Sequence, residues 1–156
     1  GLPHALLRNG WYTENYTMGA AGSAERGAMI GAAAEGRISS AARVDYAEAA
    51  AVVLTGAIPE AGAIYELAGD EAYRLPTFAA AVAEIAGTPV SYSDLSPEAF
   101  EAALIGAGLP APLAHMLADS EKGAAKGGLY SDDTTLSELI QRPTTPWRDT
   151  LRAALA

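Results

Sequence analysis

An α/β fold is predicted by three features of the chain. Leu2 to Leu7 is a short, almost continuously apolar run of the kind that fills a buried parallel strand, and Asn9-Gly10 stops it. Leu75, Phe78, Ala79, Val82 and Ile85 recur at helical spacing, and Gly87 ends that run. Thr88 to Ser93 then alternates like an edge strand and is followed by Ser96, Pro97 and Glu98, the composition of a helix start. Strand-like and helix-like stretches interleave, as in a sheet covered by helices.

Taken in order, the opening strand leads into the polar and aromatic stretch Asn9 to Tyr16. Thr17 to Gly27 is rich in small residues and predicts a loose helical segment, weakened by Gly19 and Gly22. Ala28 to Ala34 and Arg37 to Ala42 read as short strands around a Glu35-Gly36 turn, which suits a hairpin or a pair of strands near a cofactor cleft, with helix as the alternative in so alanine-rich a stretch. Asp45 is placed to cap a helix through Leu54, with Ala47, Ala50, Ala51 and Leu54 on one face. Ala63 to Ala68 predicts a strand stopped by Gly69-Asp70. The helix over 75–86 and the strand over 88–93 follow. Ser96 caps a further helix whose apolar stripe includes Phe100 and Leu104. Pro112 to Ser120 and Thr134 to Gln141 predict short helices. The glycine-rich segment 122–128 between them reads as a solvated connection, with a cleft-side loop as the alternative. Thr145-Pro146 opens the last helix, with Trp147, Leu151, Ala154 and Leu155 as its buried stripe.

Composition narrows the function classes. Ten Lys and Arg face nineteen Asp and Glu, a formal net charge of −9, and the basic residues are scattered. That argues against binding a nucleic-acid backbone. No apolar run approaches the roughly 20 residues that span a bilayer. There is no cysteine and no secretory leader pattern, so a cytoplasmic protein is expected. His4 and His115 lie far apart without a ligand pattern, so no metal site is expected. No nucleophile-elbow spacing and no glycine-rich dinucleotide fingerprint occurs.

The constellation that remains follows the first strand. In open α/β sheets ligands lie beyond the carboxyl ends of strands. There Arg8 offers a donor fork, Asn9 and Asn15 can donate and accept, and Trp11 and Tyr12 can flank a flat ring. The same residues also fit a hairpin, or core aromatics with satisfied polar tips.

Leu7 to Tyr16, then Ala41 to Ala50 and Tyr65 to Asp70, resemble the C-terminal half of a bacterial NAD(P)H:quinone oxidoreductase of the NmrA-like, atypical short-chain dehydrogenase family. The likeness continues through Leu117 to Ser120, Lys126 to Leu129 and Pro143 to Thr145. Such proteins are normally about twice as long, and their other half begins with the glycine-rich fingerprint. The resemblance implies that residues 1–156 are the C-terminal portion of a Rossmann-like NAD(P)-binding fold, merged with a small α/β lobe on the substrate side. It implies hydride transfer to a quinone from NADPH, with NADH the alternative donor. In such chemistry the protein mainly positions two planar groups. Asn9, Gly10, Trp11, Tyr12, Thr13 and Glu14 match the segment that contacts the cofactor, while Tyr12, Asn15 and Tyr16 are placed near the quinone. Two other readings stay open, a dinucleotide sensor without turnover and an inert structural fragment. The apolar opening strand, without its neighbours, is expected to promote self-association into a homo-oligomer.

Overall fold

The computed structural model describes residues 4–56 and 62–156. Two parallel strand pairs organise them, each drawn together from distant parts of the chain. β1 (Ala5–Asn9) pairs with β3 (Ala63–Leu67) in the register Leu6 to Ile64, Arg8 to Glu66 and Asn9 to Leu67. Between them in sequence come α1 (Glu14–Thr17), α2 (Ala20–Arg26), β2 (Ala28–Gly31) and α3 (Arg43–Thr55). α4 (Leu75–Ala86) leads to β4 (Ser91–Asp94), which pairs in parallel with β2. α5 (Pro97–Gly106), α6 (Ala111–Ala125), α7 (Thr135–Ile140) and α8 (Trp147–Leu155) complete the chain.

Each pair has its own core. Leu7 and Tyr65 alternate with Leu6 and Ile64, so they turn to the opposite face, where they join Tyr46, Ala49, Leu136 and Ile140 from α3 and α7. The other face is bare among the described residues: Leu6 and Ile64 are 50% and 56% exposed beside the Arg8–Glu66 ion pair. The β2–β4 lobe is built around aromatics. Tyr73 and Trp147 have ring centroids 4.7 Å apart, and Phe78 lies 5.6 Å from each, within a cluster that adds Ile38, Leu75, Val82 and Leu151. α5 and α6 form a satellite over Phe100 and Ala118.

Several local readings match the structure. α4 has the expected bounds, and Gly87 caps it at φ 68°, a backbone region that glycine enters without steric cost. Ser96 caps α5 by accepting the Ala99 N–H at 3.2 Å. β1, β3, α7 and α8 fall close to their expected places, with Leu2 and Pro3 outside the described residues.

Others are corrected. There is no hairpin around Glu35-Gly36: β2 pairs in parallel with β4, while residues 38–41 run extended between the two units. Ile38 exchanges backbone hydrogen bonds with Tyr73, and Ala41 bonds to Trp11 and Thr13. Gly36 is needed for another reason, since a Cβ there would collide with the carbonyl of Ala124. Asp45 does not cap α3. It is fully buried inside the first turn, and the carboxylate of Glu14, from α1, accepts the Arg43 N–H at 2.9 and 3.1 Å instead. The buried face of α3 is Asp45, Tyr46 and Ala49, whereas Ala47 is exposed and Leu54 is 84% exposed. Alanines and valines on every side of this helix leave no periodic stripe to choose a face. α6 runs on through Gly123 to Ala125, because Ala124 packs into the lobe core.

Candidate functional site

β1 and β3 end side by side, and Gly10 N–H extends the ladder to Leu67 O at 2.8 Å. Beyond these carboxyl ends lies a groove of about 530 Å³. Asn9, Gly10 and Trp11 form one wall, Leu67 and Ala68 the floor strand, and Ser39 with residues 128–133 the opposite side. Its place follows from the parallel pairing, which turns both chains out at the same edge.

Hydrogen bonds hold this wall. Ser39 N–H donates to Leu129 O at 2.9 Å, Ser39 Oγ donates to Ser131 O at 2.7 Å, and Ser131 N–H returns to Ser39 Oγ at 3.1 Å. Asp133 accepts the Thr135 N–H at 2.7 Å and so starts α7 at the rim. Burial of that acceptor is slight, and the Thr135 hydrogen bonds hold the Asp133 carboxyl below its usual range.

The predicted site residues face different ways. Asn9, Gly10 and Trp11 line the groove. Tyr12, Glu14 and Asn15 turn toward α3: the Tyr12 ring lies 5.3 Å from that of Tyr46, Glu14 caps the helix, and Asn15 accepts from Arg43 at 3.4 Å. Thr13 is fully buried, its hydroxyl 2.9 Å from Ser40 Oγ, which in turn lies 2.9 Å from the Tyr73 hydroxyl. That hydroxyl chain fixes the backbone behind the wall. Tyr16 points into the lobe and donates to Glu121 Oε1 at 3.0 Å; burial, then the Glu121 charge, raises its phenol well above the usual range. Burial also raises the Glu121 carboxyl, against the lowering effect of hydrogen bonds from Ala32 and Tyr16. Arg8 also lines the groove, where one nitrogen of its guanidinium donates to Glu66, its cross-strand neighbour, at 2.6 Å in an exposed pair.

Ser39 and residues 128–133 are wall residues that reading the sequence missed. Lys126 to Leu129 carried part of the family resemblance but no role; of the segment 122–128, read as a connection with a cleft-side loop as the alternative, 122–125 belongs to α6 and Gly128 lines the groove.

The groove offers the Asn9 amide, the Ser39, Tyr130 and Ser131 hydroxyls and backbone groups beside an indole and small apolar side chains, with the paired Arg8 and Glu66 and the carboxylates of Asp132 and Asp133 as its charged groups, three acidic against one basic. It suits an uncharged flat group bearing an amide or carbonyls, such as a nicotinamide or a quinone ring, and is unsuited to phosphates. Among the described residues no group of His, Cys, Asp and Glu could hold a metal ion, and no helix is long and apolar enough to cross a membrane.

Known proteins share this fold. Quinone oxidoreductase 2 of Escherichia coli (strain K12) is 53% identical over 145 residues, 93% of this chain and 50% of that protein. The crystal structure of the NADPH-dependent quinone oxidoreductase of Escherichia coli complexed with NADPH matches with a TM-score of 0.95 and 49% identity, covering 100% of this chain and 55% of that one. The triphenylmethane reductase of Citrobacter sp. complexed with NADP(H) matches with a TM-score of 0.91 and 30% identity, covering 99% and 54%. This chain therefore spans about half the length of the relatives it matches. No protein-family model matches it. The α/β, Rossmann-like character implied by the resemblance is borne out over these residues.

Proposed function

We propose that this chain, homologous to bacterial NADPH-dependent quinone oxidoreductases over about half their length, is the C-terminal portion of an NmrA-like enzyme that reduces quinones with NADPH. The observation that carries the reading is the groove at the ends of β1 and β3, whose wall Asn9-Gly10-Trp11 suits flat, uncharged groups. NADPH, when bound, supplies a hydride, and with one proton from water the quinone leaves as hydroquinone. Residues 1–156 form one side of the cleft in this proposal, and the phosphates are held elsewhere.

The Asn9 side-chain amide orients the carboxamide or a quinone carbonyl by hydrogen bonding. The Trp11 indole forms a planar wall that limits tilt and excludes water. Tyr12, Thr13 and Glu14 act behind that wall: Glu14 anchors α3, Thr13 locks the backbone to Ser40, and Tyr12 braces Tyr46. Asn15 and Tyr16, expected beside the quinone, are held by Arg43 and Glu121 outside the groove lining, so they too act behind the wall. The reaction asks for no protein acid at the hydride, so positioning is the whole contribution of these residues. Cytoplasmic residence belongs to the same proposal.

Quinone-dependent NADPH oxidation by the protein tests it. Asn9→Ala is expected to lower turnover at saturating NADPH by about tenfold to a hundredfold while leaving the melting temperature unchanged. Stoichiometric NADPH binding without oxidation of any quinone would instead favour the sensor reading.

A further inference from the structure

Basic residues are scarce in this acidic chain, ten against nineteen. Three of them, Arg37, Arg74 and Arg148, nevertheless line one groove of about 150 Å³. They arrive from different directions: Arg37 from the extended segment after β2, Arg74 from the N-cap of α4, and Arg148 from the first turn of α8. α4 and α8 both begin here, and neither start is capped by a side chain. Helix starts leave backbone N–H groups without intrahelical acceptors and carry partial positive charge, the local condition for holding an anion. Thr77 adds a hydroxyl. Trp147 is only 2% exposed, and its indole N–H has no hydrogen-bond partner among the described residues. Leaving such a donor unpaired is costly.

The opposing charges are weak. Glu71 is the acidic residue in the lining. Glu35 holds Arg74 with its carboxylate at 3.3 Å and its carbonyl at 3.1 Å, and Glu84 holds Arg148 at 3.1 Å, but the two carboxylates are 90% and 69% exposed, so both ion pairs are weak. Arg37 has no ion pair among the described residues and lies 4.1 Å over the Tyr130 ring.

We propose that this groove binds a small phosphate-bearing anion, gripped by Arg37, Arg74 and Arg148 with the Thr77 hydroxyl and the backbone N–H groups at the starts of α4 and α8, beside the buried Trp147 indole. Donors converging from three directions suit a tetrahedral oxyanion better than a planar carboxylate. The groove shares no lining residue with the candidate site and is too small for a dinucleotide. Arg37 nonetheless stacks on Tyr130, which lines the larger groove, so an anion here adjoins the wall at 128–133.

The Trp147 indole N–H resonance, followed in proton–nitrogen correlation spectra during titration with inorganic phosphate at constant ionic strength, reads the site directly. A Trp11→Phe variant leaves a single indole signal and so assigns it. The expected result is a saturable shift that chloride and acetate do not produce. Arg37→Gln and Arg148→Gln, with unchanged melting temperatures, should each weaken phosphate binding about tenfold. Tighter binding of glycerol phosphate than of inorganic phosphate identifies an organic phosphate as the ligand, and equal affinity identifies phosphate itself. No saturable shift, or an undiminished one in Arg37→Gln, overturns the proposal, whatever the quinone assay shows.

Discussion

The β2–β4 lobe and the β1–β3 unit contain the same kind of strand pair, yet they are held by different forces. The lobe closes around Tyr73, Phe78 and Trp147, large rings buried against one another. The β1–β3 unit has a smaller core on one face, a face left bare by the described residues on the other, and a polar clamp at its side. In that clamp Asp45 accepts from Arg142 at 2.7 Å, from Thr145 N–H at 2.8 Å and from the Thr145 hydroxyl at 2.9 Å. Asp70 accepts the Thr144 N–H at 2.8 Å, and its own N–H donates to Thr144 Oγ1 at 3.0 Å. Burial of aromatic area supplies bulk stability, whereas the clamp supplies geometry, and the candidate groove sits at the ends of the clamped unit.

The largest effect should come from the lobe. Phe78→Ala is expected to cost about 3–5 kcal/mol, read by denaturant unfolding, because a fully buried ring leaves a cavity that its neighbours cannot fill. A loss below that of an ordinary surface substitution would end the idea that the lobe carries the stability.

Breaking the clamp should cost less in stability and more in function. Arg142→Leu removes the cation from Asp45 and from Glu48, which it reaches at 2.5 Å, and is expected to cost about 1–3 kcal/mol. Quinone-dependent turnover, measured well below the melting temperature, should fall with it as the groove loosens. Turnover at the wild-type level would separate the clamp from the site.

Glu121 gives a pH-dependent contrast between the regions. Its folded carboxyl is raised above the unfolded value, so its contribution is fully present below the unfolded pKa and is lost as pH rises through the folded one. Glu121→Gln should remove that decline: the stability difference between variant and wild type, followed from mildly acid to neutral pH, should shift in favour of the variant. A constant difference across the range would contradict the buried charge.

The smallest change in stability belongs to the bare face. Leu6→Lys should alter stability by less than about 0.5 kcal/mol, since Leu6 is half exposed. It should also reduce self-association in sedimentation at high protein concentration, because Leu6 and Ile64 form the apolar surface beside an edge of β1 that is unpaired among the described residues. Unchanged association would move the contact to another surface.

What the sequence determined by itself was local. The stripe of Leu75, Phe78 and Val82, the Ser96 cap and the stop at Asn9-Gly10 each express a preference carried within a few neighbouring residues, and each survives in the fold. The groove wall Asn9-Gly10-Trp11 was legible for the same reason, because a strand end marks where a ligand edge lies. Tertiary structure alone decided the rest. It sent β2 to β4 rather than into a hairpin, turned Asp45 inward to Arg142 and Thr145, and brought Ser39 and residues 128–133 across from Asn9. Those partners lie far along the chain, and an alanine-rich stretch presents nearly the same surface to each of them. The choice therefore belongs to the combined burial of the two cores, a property that no window of local sequence contains.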